Sequence, residues 1–342
     1  MDVTKSLTDF AEIRRIIATF PGPDPAAIAA TQRRDQTLTK PPGALGRLEE
    51  LAAWMAAWQG RHPPRAAHPR ICVFAGNHGV AARGVSAFPQ EVTKQMVANF
   101  LAGGAAVNQL SALVDADLQV YELDLDHPTA DFTQSPAMDE AECCRAIAYG
   151  MTAVVDGLDI LCVGEMGIAN TTSGAAIAHA LFGGAAEDWT GAGTGVTGSA
   201  YAAKITAVRD GVARHQAHKN DPLEILRCLG GRELAAIVGA IIAARMARTP
   251  VLLDGYTTTA AAAILWKMDP TALDHCQVGH LSAEGAHRRL CEILGKKPIL
   301  DLGMRLGESS GAALAVSILK AATACHADMA TFAEAAVSGK KP

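Results

Sequence analysis

Glu308 closes the segment Pro298-Ile-Leu-Asp-Leu-Gly-Met-Arg-Leu-Gly-Glu308 and opens the small-residue stretch Ser309 to Ala324. An apolar run, a glycine-punctuated turn and a helix beginning with one acid is how a parallel sheet presents a carboxylate to a ligand beyond its strand ends. A carboxylate in that place is a candidate general base. Its plainer role is to complement the positive end of a helix.

Three other loops carry polar groups at apparent strand ends. In Gly76 to Gln90, Phe88 and Pro89 can wall a flat ring while Ser86 and Gln90 orient it, and His78 either contributes or satisfies a backbone carbonyl. In Gly164 to Ala176, Glu165 can accept hydrogen bonds from ribose hydroxyls. Asn170 or Thr171 there would cap the helix that follows. In Thr190 to Gly198, Gly193 and Gly195 leave the backbone amides free to cradle an anion, with Lys204 six residues beyond Gly198. That loop has neither the preceding strand of a dinucleotide fingerprint nor the GK of a P-loop.

The elements that would hold these loops alternate. Six apolar runs, Ile71 to Ala75, Leu118 to Leu123, Ile160 to Val163, Val251 to Asp254, Gln277 to His280 and Ile299 to Leu302, are separated by helical stretches. The pattern predicts an α/β fold with a mostly parallel six-stranded sheet covered on both faces. Helices are expected at Phe10 to Ala18 and Leu45 to Trp58, giving a helical arm with no strand to pair. A division follows into a helical arm at 1–65, an α/β domain at 66–305 and a returning segment at 306–342. Trp54 and Trp58, at helical spacing, belong to a core or a subunit interface.

The totals narrow the class. With 342 residues, 49% hydrophobic and 19% charged, the chain can bury a large core. Thirty basic against 35 acidic residues, a net charge of −5 and no long run of either sign argue against nucleic acid as a partner. The eight cysteines include no CxxC pair and several sit in apolar runs, which reads as reduced thiols in a cytoplasmic protein. The longest apolar helix candidate, Leu234 to Ala244, is too short to span a membrane.

Gly307-Glu-Ser-Ser-Gly311 fits GxSxG, yet a nucleophile elbow puts its serine directly at the strand end and needs a following acid and histidine. Within 20 residues only His326 and then Asp328 follow. His275, His280 and His287 lack zincin spacing, so no metal site is expected. Gly76-Asn-His-Gly79 breaks the fingerprint of a nicotinamide-dependent oxidoreductase. A nucleotide-binding regulatory protein without catalysis stays as a separate alternative.

Taken together, Lys40-Pro-Pro-Gly-Ala-Leu-Gly46, Gly84-Val-Ser-Ala-Phe-Pro-Gln90, Gly164-Glu-Met-Gly-Ile-Ala-Asn-Thr-Thr172, Gly279-His-Leu-Ser-Ala-Glu-Gly285 and Leu302-Gly-Met-Arg-Leu-Gly-Glu-Ser-Ser-Gly-Ala312 resemble the nicotinate-nucleotide:dimethylbenzimidazole phosphoribosyltransferase family. The resemblance runs from about Thr31 to Ala324. It implies a Rossmann-like, doubly wound sheet with a small helical domain from both chain ends, a homodimer, and no cofactor. It also implies transfer of phosphoribose from nicotinate mononucleotide to 5,6-dimethylbenzimidazole in the assembly of cobalamin's lower nucleotide loop. On these positions it makes Glu308 the base and places Ser86, Phe88, Gln90, Met304 and Leu306 around the benzimidazole. Glu165 falls on the ribose, and Gly193, Gly195 and Lys204 on the phosphate. The family's usual glycine after the catalytic acid is Ser309 here.

Overall fold

Residues 7–338 are described by a computed structural model of the chain. Five of the apolar runs form strands: β1 (Pro69–Ala75), β2 (Asp117–Glu122), β3 (Ile160–Met166), β4 (Val251–Leu253) and β5 (Cys276–Val278). All neighbours pair in parallel, in the order β2-β1-β3-β4-β5. The chain therefore turns outward in opposite directions from β1 and β3, which opens a crevice beyond their carboxyl ends.

The sheet has five strands rather than the six expected. Ile299 and Leu300 do run beside the continuation of β5, with Ile299 N–H donating to Val278 O at 2.9 Å and Leu281 N–H donating to Leu300 O at 2.7 Å. The pairing ends as a single parallel bridge between His280 and Leu300. Pro298 supplies no amide on one side, and Gly303, at φ +69°, turns the chain away on the other. What the run contributes is an exit toward Glu308.

Strand residues alternate between two cores, as a period of two requires. Cys72, Phe74, Leu161, Val163, Val251 and Leu253 face one core, with helices Glu140–Met151, Asn170–Phe182, Arg232–Met246 and Tyr256–Met268 packed over it. Ile71, Val73, Ile160, Cys162 and Leu252 face the other. That second face is covered by helices Arg47–Gln59, Glu91–Leu101, Ala106–Leu113 and Ser310–Asp328, through Leu51, Met55, Phe100, Val107, Val316 and Leu319. The edge strand β2 exposes Asp117, Gln119 and Glu122, charges and amides that discourage a further strand from adding.

Both chain ends meet on the second face. The Arg34 guanidinium donates to the carbonyls of His326, Ala327 and Met329 at 2.8, 2.7 and 3.1 Å, satisfying the free end of helix Ser310–Asp328. Leu38 and Thr331 form an antiparallel bridge. Arg34 belongs to a helix absent from the sequence expectations, Pro25–Asp35, whose start has a clear physical signal: Pro25 in its first turn and Asp24 accepting the Ala27 amide at 2.8 Å. Trp58 is buried under the Arg245 guanidinium, 4.2 Å from its ring centroid, so it belongs to the core.

Among the described residues, the helix Ser310–Asp328, of 19 residues, is long and apolar enough by length and composition alone to cross a membrane. It lies on the sheet instead, with Ala312, Ala313, Ala315, Val316 and Leu319 buried.

Candidate active site

Beyond the carboxyl ends of β3 and β4 lies a cavity of about 380 Å³ whose walls include Phe88, Glu165, Gly193, Leu306 and Glu308. Its size falls within the range of small-molecule sites.

Glu165 is the penultimate residue of β3, and Glu308 sits on the turn that delivers helix Ser310–Asp328. A backbone bond joins the two segments, Glu308 N–H donating to Glu165 O at 3.0 Å. The turn is sharp. Gly307, Glu308 and Ser309 have φ of +81°, +61° and +59°, a left-handed run that only the first adopts without strain. Ser309 also buries a hydroxyl with no hydrogen-bond partner. Ser309→Gly is therefore expected to stabilise the protein by about 1 kcal/mol, read as a higher urea midpoint at unchanged slope. A lower midpoint would mean that the Ser309 hydroxyl makes a bond that outweighs the strain of its left-handed backbone.

Both carboxyls are almost fully buried. Burial, with the charge of Asp254 added, pushes Glu308 up to about 7. Burial and Asp254 push Glu165 up to about 8, against the opposing hydrogen bond from Asn170 Nδ2 to Glu165 Oε2, and with Glu233 and Glu308 adding to the rise. Two such groups on one wall can take up protons near neutral pH. The helix Asn170–Phe182 is not capped by Asn170 or Thr171 as expected. Its N-cap is Ala169, at φ +75°, without a side-chain bond, because Asn170 is turned toward Glu165 and Thr171 toward Lys204.

Lys204 is not part of the cavity lining: it lies behind Gly193, its Nζ donating to Thr171 Oγ1 at 2.8 Å. A Cβ at residue 193 would come within 2.6 Å of that ammonium, so glycine there is what lets the lysine approach the loop. Burial draws Lys204 down to about 8, partly offset by Glu284. Arg305 Nη1 donates to Gly193 O at 3.1 Å, which puts a second cation on the same loop. The wall between these two ends is apolar, formed by Val92, Met96, Met166 and Ile168, with Phe88 and Leu306 more than half exposed at the mouth.

The remaining expected site residues lie just outside this lining. Ser86 Oγ is 3.1 Å from Thr194 Oγ1 and ties the Phe88 loop to the glycine loop. Gln90 donates to His78 O at 2.8 Å and faces an adjoining groove with Lys94. Met304 is half-buried, its carbonyl accepting the Ala283 amide at 2.9 Å. Gly195 supplies a φ of +101° behind Thr194.

Sequence reasoning passed over Arg305, Glu284, Asp254 and His280. The last two close the fourth and fifth apolar runs, the very position from which Glu165 was read. His78 does more than satisfy a carbonyl: Nε2 lies 2.6 Å from Glu233 Oε1 and Nδ1 3.0 Å from Ser173 Oγ, all three buried. Among the described residues no group bonds Ser309 Oγ, so the GxSxG match assembles no nucleophile. His218, Glu224 and Cys228 approach each other outside the cavity, but Arg227 already holds Glu224 at 2.7 Å.

A parallel-sheet cavity with a buried acid pair and a glycine loop bonded by Arg305 and Glu284 suits a transferase of phosphorylated sugars, and the chain belongs to the phosphoribosyltransferase family, whose pattern matches residues 20–337. It is 56% identical over 332 residues to the nicotinate-nucleotide–dimethylbenzimidazole phosphoribosyltransferase of Brucella anthropi, covering 97% of this chain and 98% of that one. The enzyme of the same name from Brucella melitensis biotype 2 matches at the same identity and coverage. Among solved structures, the nicotinate-nucleotide–dimethylbenzimidazole phosphoribosyltransferase of Thermus thermophilus superposes with a TM-score of 0.86 at 42% identity, over 93% of this chain and all of that one.

Proposed function

We propose that this chain transfers the 5-phosphoribosyl group of nicotinate mononucleotide to 5,6-dimethylbenzimidazole, giving α-ribazole 5′-phosphate and nicotinate for the nucleotide loop of cobalamin. The observation that carries this reading is one cavity lined by a buried carboxylate pair, an apolar wall and a glycine loop that Arg305 and Glu284 bond and that Lys204 approaches from behind.

The chemistry matches that lining. In a nicotinate ribotide the ring nitrogen is a pyridinium, so the C1′–N bond breaks with its electron pair on a neutral leaving group and no strong acid is needed. The benzimidazole attacks C1′ through one ring nitrogen as the proton on the other passes to a carboxylate. Glu308, with its proton affinity drawn up by burial, is suited to take it. Attack opposite the departing nicotinate turns the β nucleotide into the α product. Phe88 and Leu306 sandwich the base at the mouth, with Ser86, Gln90 and Met304 shaping the loops behind them. Glu165 accepts from the ribose, and Gly193, Gly195 and Lys204 hold the phosphate, joined by Arg305. The division at residues 65 and 305, a homodimer and a cytoplasmic setting belong to the same proposal.

Incubating purified protein with both substrates and following products by chromatography and mass tests the reading. Ribazole phosphate with an equal amount of nicotinate supports it, and absence of both sinks this substrate pair. Lys204→Ala should raise the KM for the nucleotide by about tenfold while kcat changes little, since a charge-assisted bond to phosphate contributes about 1.5–3 kcal/mol. An unchanged KM would remove Lys204 from the phosphate site.

A further inference from the structure

The helix that follows Glu308 begins without a cap of its own. Ser309, at the N-cap position, has left-handed backbone angles and its side chain makes no capping bond. A helix start leaves free amides that need acceptors when buried. Here the acceptor comes from another part of the chain. Asp254, the residue directly after β4, is fully buried and takes the Ala312 amide at 2.9 Å. Burial raises its proton affinity, while His280 and the amides of Ala312, Gly311 and Ser309 favour its charged form. His280 Nε2 lies 3.6 Å from Asp254 Oδ1, and the imidazole is wholly buried on the cavity wall.

We propose that Asp254 is a positioning residue for Glu308: it caps helix Ser310–Asp328 from across the sheet, which fixes the Glu308 turn, and it sets a second negative charge beside the base. This rests on Glu308 being the base. The cap holds the amides that follow Glu308, so the backbone carrying the carboxylate cannot shift without releasing Asp254. The charge disfavours ionisation of Glu308 and keeps it a stronger base than an open carboxylate. The other titratable or charged groups around Glu308 are Glu165 on β3, His280 after β5, and Glu284 and Arg305 on the cavity wall. Lys204 stands behind Gly193 and Glu233 behind Glu165. Asp254 is the charge that acts on both Glu165 and Glu308.

Asp254→Asn keeps an acceptor oxygen for the Ala312 amide and removes the charge. Its acid limb of kcat should move down by about one pH unit, because Glu308 then loses its proton at lower pH. Asp254→Ala, lacking the acceptor as well, should also lose thermal stability. An acid limb in Asp254→Asn that coincides with the parent's overturns the proposal.

Should the asparagine variant not fold, carboxyl carbon titration by NMR comparing the parent with Glu308→Gln decides the matter. The Asp254 midpoint should fall when the neighbouring charge is gone, and an unmoved midpoint rejects the pairing. That titration reads the contact of the two groups whether or not Glu308 is the base. Turnover in Glu308→Gln tests the base assignment separately.

Discussion

Glu308→Gln is expected to lower kcat by about 10²–10⁴-fold with little change in the KM of either substrate. Glutamine keeps the volume and planarity of the side chain, so the cavity and the turn are preserved, but its amide cannot take the proton that the benzimidazole must lose. A loss confined to kcat is the mark of an interaction made in the transition state. The parent's pH profile should carry the same signature. Because the base acts unprotonated and its proton affinity lies at about 7, the rate should fall as pH drops through that value, and the variant's residual rate should lose this limb. Turnover near the parent's level in Glu308→Gln would take the base role from this residue and pass it to Glu165, the other carboxyl on the wall.

The second large effect is expected from a residue that touches no substrate. Gly164 lies in β3, paired with Val73 in the middle of the sheet, and its missing side chain is where the Glu308 turn rests. A methyl at that position would overlap the backbone nitrogen and Cα of Ser309 and stand 2.6 Å from its Cβ. None of those atoms can rotate away, so the turn itself must lift. Gly164→Ala should cost about 1–3 kcal/mol of stability through overpacking. A displacement of the base by about 1 Å should cost about 10²-fold in turnover. Melting temperature and kcat measured on the same sample separate these effects. Full turnover in the alanine variant would show that β3 does not set the height of Glu308.

The two carboxylates of the cavity wall also mark how far the sequence could be read. Glu308 and Glu165 were accessible because each stands where an apolar run meets a glycine-rich turn, a local pattern. Five strands and most helices were accessible for the same reason. The sixth strand was over-read: Ile299 to Leu302 has strand composition, but whether a run of four pairs fully depends on where Pro298 and Gly303 place it, a matter of geometry. The helix Pro25–Asp35 is easy to overlook because a cluster of prolines has the composition of a spacer, although Asp24 with Pro25 is a helix start. Asp254 ends an apolar run as Glu165 does and was within reach of the same local signal, whereas Arg305 and Glu284 reach the glycine loop only through folding, approaching Gly193 from positions 112 and 91 residues away in the chain. No window of sequence contains such a pair. For the same reason Gln90 and Met304, side chains on loops whose direction is set by distant partners, came out beside the cavity lining rather than in it.

The shared layer formed by helices Arg47–Gln59 and Ser310–Asp328 bears on how the protein is made. The first of these precedes the sheet in the chain and the second follows every strand of it, yet each covers the same face. Until the second helix is in place, Ile71, Val73 and Cys162 have no complete cover, and the turn bearing Glu308 has no helix to anchor it. A chain lacking that helix would leave this face of the sheet open and the Glu308 turn unanchored. Such a chain exposes the apolar surface that chaperones and proteases recognise. If Glu308 is the base, catalytic competence and closure of this face of the core depend on the same helix.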